Sequence, residues 1–196
     1  MTGGLRGPRA IVIGGSAGSL DALGVMLPAL PAQLDAAVVV TLHLPREQPS
    51  LLCDIFRHRC ALQVREAQDK EPLTPGTIFF APPDYHLLVD AGPSLALSID
   101  PPLHFSRPSI DVLFESAADV YGPALTALLL SGANADGARG LAVVQRMGGI
   151  ACVQAPASAG APAMPEAALA LITPDHVLMP AQMAPLLNQL HQGRVS

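Results

Sequence analysis

The stretch Ala10-Ile11-Val12-Ile13-Gly14-Gly15-Ser16-Ala17-Gly18-Ser19 decides the fold. It opens on a short apolar, β-branched run that stops at a glycine pair. That reads as a buried strand entering a tight turn. From Ser19 onward Leu20, Leu23, Met26, Leu27 and Leu30 recur at helical spacing. Asp21 near the start favours the positive end of the helix dipole. The chain therefore opens strand, turn, helix.

The same unit follows at once. Residues 37–42 form a second apolar run ending at His43-Leu44-Pro45, and Ser50 caps a helix carrying Leu51, Leu52, Ile55 and Phe56. Two such units in succession predict a parallel α/β sheet with right-handed crossovers. The middle differs. Residues 77–80, 86–90 and 95–99 read as short strands separated by Pro82-Pro83-Asp84 and Ala91-Gly92-Pro93, which predicts hairpins at a sheet edge. A helix over 109–121 follows. Strand and helix then alternate: strand 124–130, helix 137–147, strand 150–153, helix 165–171, strand 176–178, helix 181–191. The expected fold is α/β, in three layers of helix, sheet and helix, mainly parallel with an antiparallel hairpin at one edge. Residues 10–192 make one domain after a loose, glycine-rich N-terminus at 1–9. Residues 155–163 contain only Ala, Pro, Ser and Gly and read as a loop.

Composition agrees. The chain has 196 residues, of which 50% are hydrophobic and 14% charged, against about 25% charged in a typical soluble domain. This fits a sheet covered on both faces. The net charge is −5 and Lys70 is the only lysine, so no basic face for nucleic acid is expected. No run reaches the ~18–20 apolar residues of a membrane span, so no membrane insertion is expected. Cys53, Cys60 and Cys152 are odd in number and lack metal spacing, which suits buried small hydrophobes in a reducing cytosol.

Three turns carry candidate chemistry. Gly14-Gly15-Ser16-Ala17-Gly18 fits a nucleophile held on a sharp strand-to-helix turn. It also suits a phosphate cradle or a merely tight turn. His43 follows the second strand, so it emerges beside Ser16 at the carboxyl edge of the sheet. There it is placed to act as a general base, or to be satisfied by a backbone carbonyl. A dinucleotide site would want an acid in that place. Asp136 lies in the turn Ser131-Gly132-Ala133-Asn134-Ala135-Asp136-Gly137. It is a candidate to orient the imidazole, or a helix cap.

Taken together the motifs resemble the catalytic domain of the CheB-type chemotaxis protein-glutamate methylesterases. Residues 13–18 are similar to that family's I-G-A-S-T-G-G, and His43-Leu44-Pro45 to its H-M-P. Leu73-Thr74-Pro75-Gly76 with Phe80-Ala81-Pro82-Pro83 resembles L-x-P-G and I-A-P-x. Arg107-Pro108-Ser109-Ile110-Asp111-Val112-Leu113-Phe114 resembles R-P-S-V-D-V-L-F. Residues 130–138 resemble L-T-G-M-G-x-D-G-A, and Met164-Pro165 resembles the closing G-M-P.

The resemblance implies a cytoplasmic hydrolase of methyl-glutamate esters on chemoreceptor helices, with glutamine deamidation in many members. Ser16, His43 and Asp136 would be the triad, the backbone N–H groups of Ala17 and Ala133 the oxyanion donors, and Arg107 and Met164 cleft residues. Arg107 and Asp111 also suit ordinary helix-start chemistry. No metal or organic cofactor is implied. The chain order Ser, His, Asp differs from the Ser, Asp, His of α/β-hydrolases. Only about nine residues precede the first strand, so the family's N-terminal receiver domain is not expected. Ala17 stands for the family's threonine and Ala133 for its methionine. Gln154-Ala155-Pro156 departs from its Q-D-E, which bears on substrate fit. The alternatives are a weak or inactive homologue that binds a receptor or signalling protein, an esterase for another ester, and a nucleotide-binding domain.

Overall fold

The computed structural model describes residues 9–44 and 49–191. Pro45 and nearly all of the expected loose N-terminus lie outside the described residues.

The opening strand β1 (Ala10–Gly15) leads to α1 (Ser19–Met26), then β2 (Ala37–Leu42), α2 (Leu52–Arg57), β3 (Gln63–Glu66) and β4 (Thr77–Phe80). The hairpin β5 (His86–Asp90) and β6 (Ser94–Ser98) precedes α3 (Ile110–Tyr121). The chain closes with β7 (Leu125–Leu129), α4 (Ala138–Arg146), β8 (Ile150–Gln154), α5 (Ala163–Leu171), β9 (His176–Leu178) and α6 (Pro180–His191). Seven strands form one parallel sheet in the order β3-β4-β2-β1-β7-β8-β9, and β5 and β6 form a separate antiparallel pair.

The continuous apolar strands are explained by burial on both faces. Ala10 and Val12 of β1, with Ala37 and Val39 of β2, enter the core under α3, α4 and α5. Their alternates Ile11, Ile13, Val38 and Val40 enter the opposite core, under α1, α2 and α6. The period of two thus divides each strand between two cores.

The middle of the chain differs from expectation in two places. Residues 77–80 are not part of a hairpin: β4 is a parallel strand between β3 and β2. Strand β3 gave no apolar signal because Val64 is its only buried side chain. The hairpin itself lies over α3, with Leu87, Val89 and Leu95 buried and Val89 N–H donating to Ser116 Oγ at 3.0 Å. Pro28 falls in the 3₁₀ turn Leu27–Ala29, which ends the first helix sooner than its apolar spacing suggests.

One consequence positions the site. From β1 the chain steps to β2 on one side, and α3 later brings it back to β7 on the other. The carboxyl end of β1 is therefore the topological switch point, where open α/β sheets form their crevice.

Candidate active site

Ser16 directly follows β1 at this switch point. Its turn closes by Ser19 N–H donating to Ser16 O at 3.0 Å. Gly18 has φ 77° and ψ −1°, the third position of a type II turn, which only glycine takes without strain. The glycine pair before Ser16 permits close approach. A Cβ at Gly14 would collide with Ile110 at the start of α3. A Cβ at Gly15 would lie 2.7 Å from Ser19 Cβ.

His43 leaves β2 beside this turn, with its N–H donating to Gly15 O at 3.2 Å. Ser16, Ala17, Leu20, Asp21, His43 and Leu44 line one cleft of about 350 Å³. The His43 ring is mostly buried, and its Nε2 lies 2.7 Å from Asp136 Oδ2. With Nε2–H donating to the carboxylate, Nδ1 keeps the lone pair that can accept a proton.

Asp136 is fully buried. Oδ2 also accepts from Ile110 N–H at 2.7 Å, and Oδ1 accepts from Asp111 N–H at 3.0 Å and Ser109 Oγ at 2.9 Å. These donors are the start of α3. Burial alone would raise this carboxyl's pKa. The hydrogen bond from His43 and the N–H groups of Asp111 and Ile110 outweigh it and hold the pKa below the ordinary value.

Asp111 makes the converse arrangement. Its Oδ1 accepts from Gly137 N–H at 3.0 Å and Gly140 N–H at 2.7 Å, at the start of α4. Burial pushes its pKa up, against the Gly140 bond, and the nearby Asp136 charge adds to the rise. His104 Nε2 lies 3.3 Å from Asp111 Oδ2. His104, Asp111 and Asp136 offer atoms within 4.8 Å of one another, but N–H donors and the His43 ring already engage both carboxylates.

The structure thus brings Ser16 and His43 to one cleft and joins His43 to Asp136. Ala17 lines that cleft and is exposed; Ala133 is exposed on the turn after β7. Two residues expected at the cleft make other contacts. Met164 is fully buried beneath Gly132, where a Cβ would run into its sulfur, so it seats the β7–α4 turn from below. Arg107 clamps loops together, donating to Asp84 Oδ1 at 2.8 and 3.0 Å and to the carbonyls of Ile99 and Asp100. It is not among the residues lining the Ser16 cleft.

Three side chains that the sequence reading gave no role support this edge. Ser19 Oγ donates to Ser16 O at 2.6 Å. Ser131 Oγ donates to Ala17 O at 2.7 Å and accepts from Ala161 N–H at 2.8 Å. Gln154 Oε1 accepts from Ser131 N–H at 2.9 Å, while its Nε2 donates to Ser158 O at 3.1 Å. The Ala/Pro-rich loop is therefore tied to the Ser16 turn, and a Cβ at Gly18 would lie 3.1 Å from Gly160 Cα. A serine or glutamine gives no periodic signal, so only coordinates reveal such partners.

A parallel α/β sheet that gathers a serine, a histidine and a buried carboxylate at its carboxyl edge has the make-up of a serine-type ester hydrolase. Comparison with known proteins gives the family. The CheB methylesterase family profile matches residues 11–187, and the chain belongs to that family. A relative from Leptospira interrogans, named as a candidate protein-glutamate methylesterase/protein-glutamine glutaminase, is 39% identical over 95% of this chain and 96% of its own. A protein-glutamate methylesterase/protein-glutamine glutaminase of Nocardioides sp. is 35% identical over 98% of this chain, which spans 53% of that relative's length. The CheB methylesterase catalytic domain of Thermotoga maritima superimposes with a TM-score of 0.91 at 28% identity, over 94% of this chain and 99% of that one.

Proposed function

We propose that this chain is a protein-glutamate methylesterase acting on methylated chemoreceptor helices in the cytoplasm, and that it also deamidates receptor glutamines. One observation carries the reading: the 2.7 Å contact of His43 Nε2 with Asp136, from a ring that shares its cleft with Ser16. Ser16 Oγ attacks the ester carbonyl while His43 Nδ1 takes its proton. Asp136 holds the ring tautomer and stabilises the imidazolium. The N–H groups of Ala17 and Ala133 receive the oxyanion. His43 returns the proton to the departing methanol, leaving an acyl-serine. Water, deprotonated by the same nitrogen, then releases the glutamate and restores Ser16. Residues 10–192 act as one catalytic domain in this reading. Among the described residues no helix is long and apolar enough to cross a membrane.

The test is methanol release from methylated chemoreceptor by the wild type and by Ser16→Ala. Release that vanishes in the variant supports the reading. A folded wild type that releases none, across several receptors, would instead favour a binding homologue or a different ester.

A further inference from the structure

The nucleophile turn contains a buried hydroxyl with no part in the triad. Ser19 is fully buried, and its Oγ donates to Ser16 O at 2.6 Å, alongside the turn bond from Ser19 N–H at 3.0 Å. Two donors therefore hold one carbonyl. That carbonyl belongs to the peptide unit whose other end is Ala17 N–H. A trans peptide is planar, so its C=O and N–H point in opposite directions. The only cis bond among the described residues is Arg107-Pro108. Fixing Ser16 O toward α1 thus fixes Ala17 N–H toward the other side of the turn. Ala17 is exposed there and lines the cleft with His43.

The space for this hydroxyl comes from Gly15. A Cβ at Gly15 would lie 2.7 Å from Ser19 Cβ and 3.0 Å from Ser19 Oγ. The site therefore has room for one small side chain, from position 15 or from position 19. The family motif I-G-A-S-T-G-G has alanine at the first and glycine at the second. This chain has glycine at the first and serine at the second. It also lacks the motif's hydroxyl at position 17, where Ala17 stands, and has one at position 19.

We infer that Ser19 is a positioning residue for the oxyanion donor: its hydroxyl fixes the Ser16 carbonyl and so aims the Ala17 N–H at the developing negative charge. The inference rests on the hydrolase reading above. It does not involve Ser19 touching substrate.

Two variants test it. Ser19→Ala removes only the hydroxyl. Gly15→Ala with Ser19→Gly moves the one small side chain to position 15, as in the family motif, and also lacks the hydroxyl. Each is assayed for steady-state methyl-ester hydrolysis, for the rate of Ser16 phosphonylation by a fluorophosphonate, and for Tm. Misaiming one donor is a smaller loss than deleting it, so kcat and the phosphonylation rate should both fall about tenfold in each variant. KM should change less than about twofold, because ground-state binding is untouched, and Tm should stay above the assay temperature. Wild-type kcat and phosphonylation rates in folded Ser19→Ala would overturn the inference and leave the hydrolase reading intact. So would a loss expressed mainly in KM. A wild type inert to both ester and probe would overturn the hydrolase reading itself.

Discussion

Asp111 and Asp136 each cap the helix that the other's segment leads into. Asp136, just before α4, accepts from Ile110 and Asp111 N–H at the start of α3. Asp111, in the first turn of α3, accepts from Gly137 and Gly140 N–H at the start of α4. Four backbone donors that helix starts would leave unmatched are thereby satisfied. The exchange fixes α3 against α4 and leaves Asp136 Oδ2 facing His43.

Substitution at this pair should separate charge from geometry. Asp111→Asn can keep an oxygen for Gly137 and Gly140, both of which donate to the same carboxylate atom. Asp111→Ala orphans both N–H groups and should destabilise by about 1–3 kcal/mol for each. Urea unfolding should therefore rank Asn well above Ala. Asp136→Asn should lower kcat about 10³–10⁴-fold, since it removes the charge that orients and supports the imidazole. Near-wild-type methanol release by a folded Asp136→Asn would remove Asp136 from the mechanism.

Gly14 offers a test of the α3 approach. A methyl at Gly14 would meet Ile110, the residue whose N–H holds Asp136. Gly14→Ala should destabilise by about 1–3 kcal/mol through overpacking. It should also lower kcat in molecules that remain folded, because α3 must move away from β1. Circular dichroism and methanol release on the same sample separate the two effects. Full activity per folded molecule would mean that α3 does not set the position of Asp136.

Elements whose side chains repeat were legible in the sequence. The run before Gly14 announced β1, and His43 at the end of an apolar run placed an imidazole in one cleft with Ser16. Strand β3 was not, because Gln63, Arg65 and Glu66 are solvent-facing and only Val64 is buried. Residues 77–80 looked like hairpin because turn residues follow them, whereas pairing to β2 is a long-range fact. Motif resemblance points Met164 toward the cleft but says nothing about depth; it is fully buried. The pairing of Asp111 with Asp136, and of Ser131 with Ala17, joins turns distant in the chain, and no local spacing encodes it.

Acid should weaken the fold in two stages. His191 is buried against Thr126, with Nε2 3.1 Å from Thr126 Oγ1. Burial first, and Arg9 second, push its pKa down to about 4, against the opposing pull of Asp35. The folded value lies below the unfolded one, so between them the unfolded chain binds more protons and stability rises with pH. The contribution is complete above about pH 6.5 and is lost as pH falls toward 4, amounting to about 3 kcal/mol. Asp136 acts lower: its depressed pKa gives stability present above the ordinary carboxylate range and lost as pH falls through the folded value. Urea unfolding from pH 7 to 4 should show the first loss in the wild type and a flatter profile in His191→Gln. Equal slopes for the two proteins would exclude His191 as the source.

Ser131 links the Ser16 turn to the loop that departs most from the family motif. Its hydroxyl bonds Ala17 O and Ala161 N–H, and its backbone O accepts from Ser16 N–H at 2.8 Å. Ser131→Ala leaves Ala17 O and Ala161 N–H without that partner, at about 1–3 kcal/mol for each group left buried and unmatched. Ser131→Thr keeps the hydroxyl and matches the threonine of the family motif, so it should preserve stability. Because one oxygen serves both segments, Ser131→Ala should speed amide exchange in residues 17–19 and 155–163 together. It should leave β1 and β7 protected, since their ladder does not depend on the hydroxyl. Gln154→Ala removes the bond to Ser131 N–H and the two to Ser158, and should loosen 155–163 more than 17–19. Exchange that rises in the loop alone in Ser131→Ala would show that Ser131 anchors the loop but does not brace the Ser16 turn.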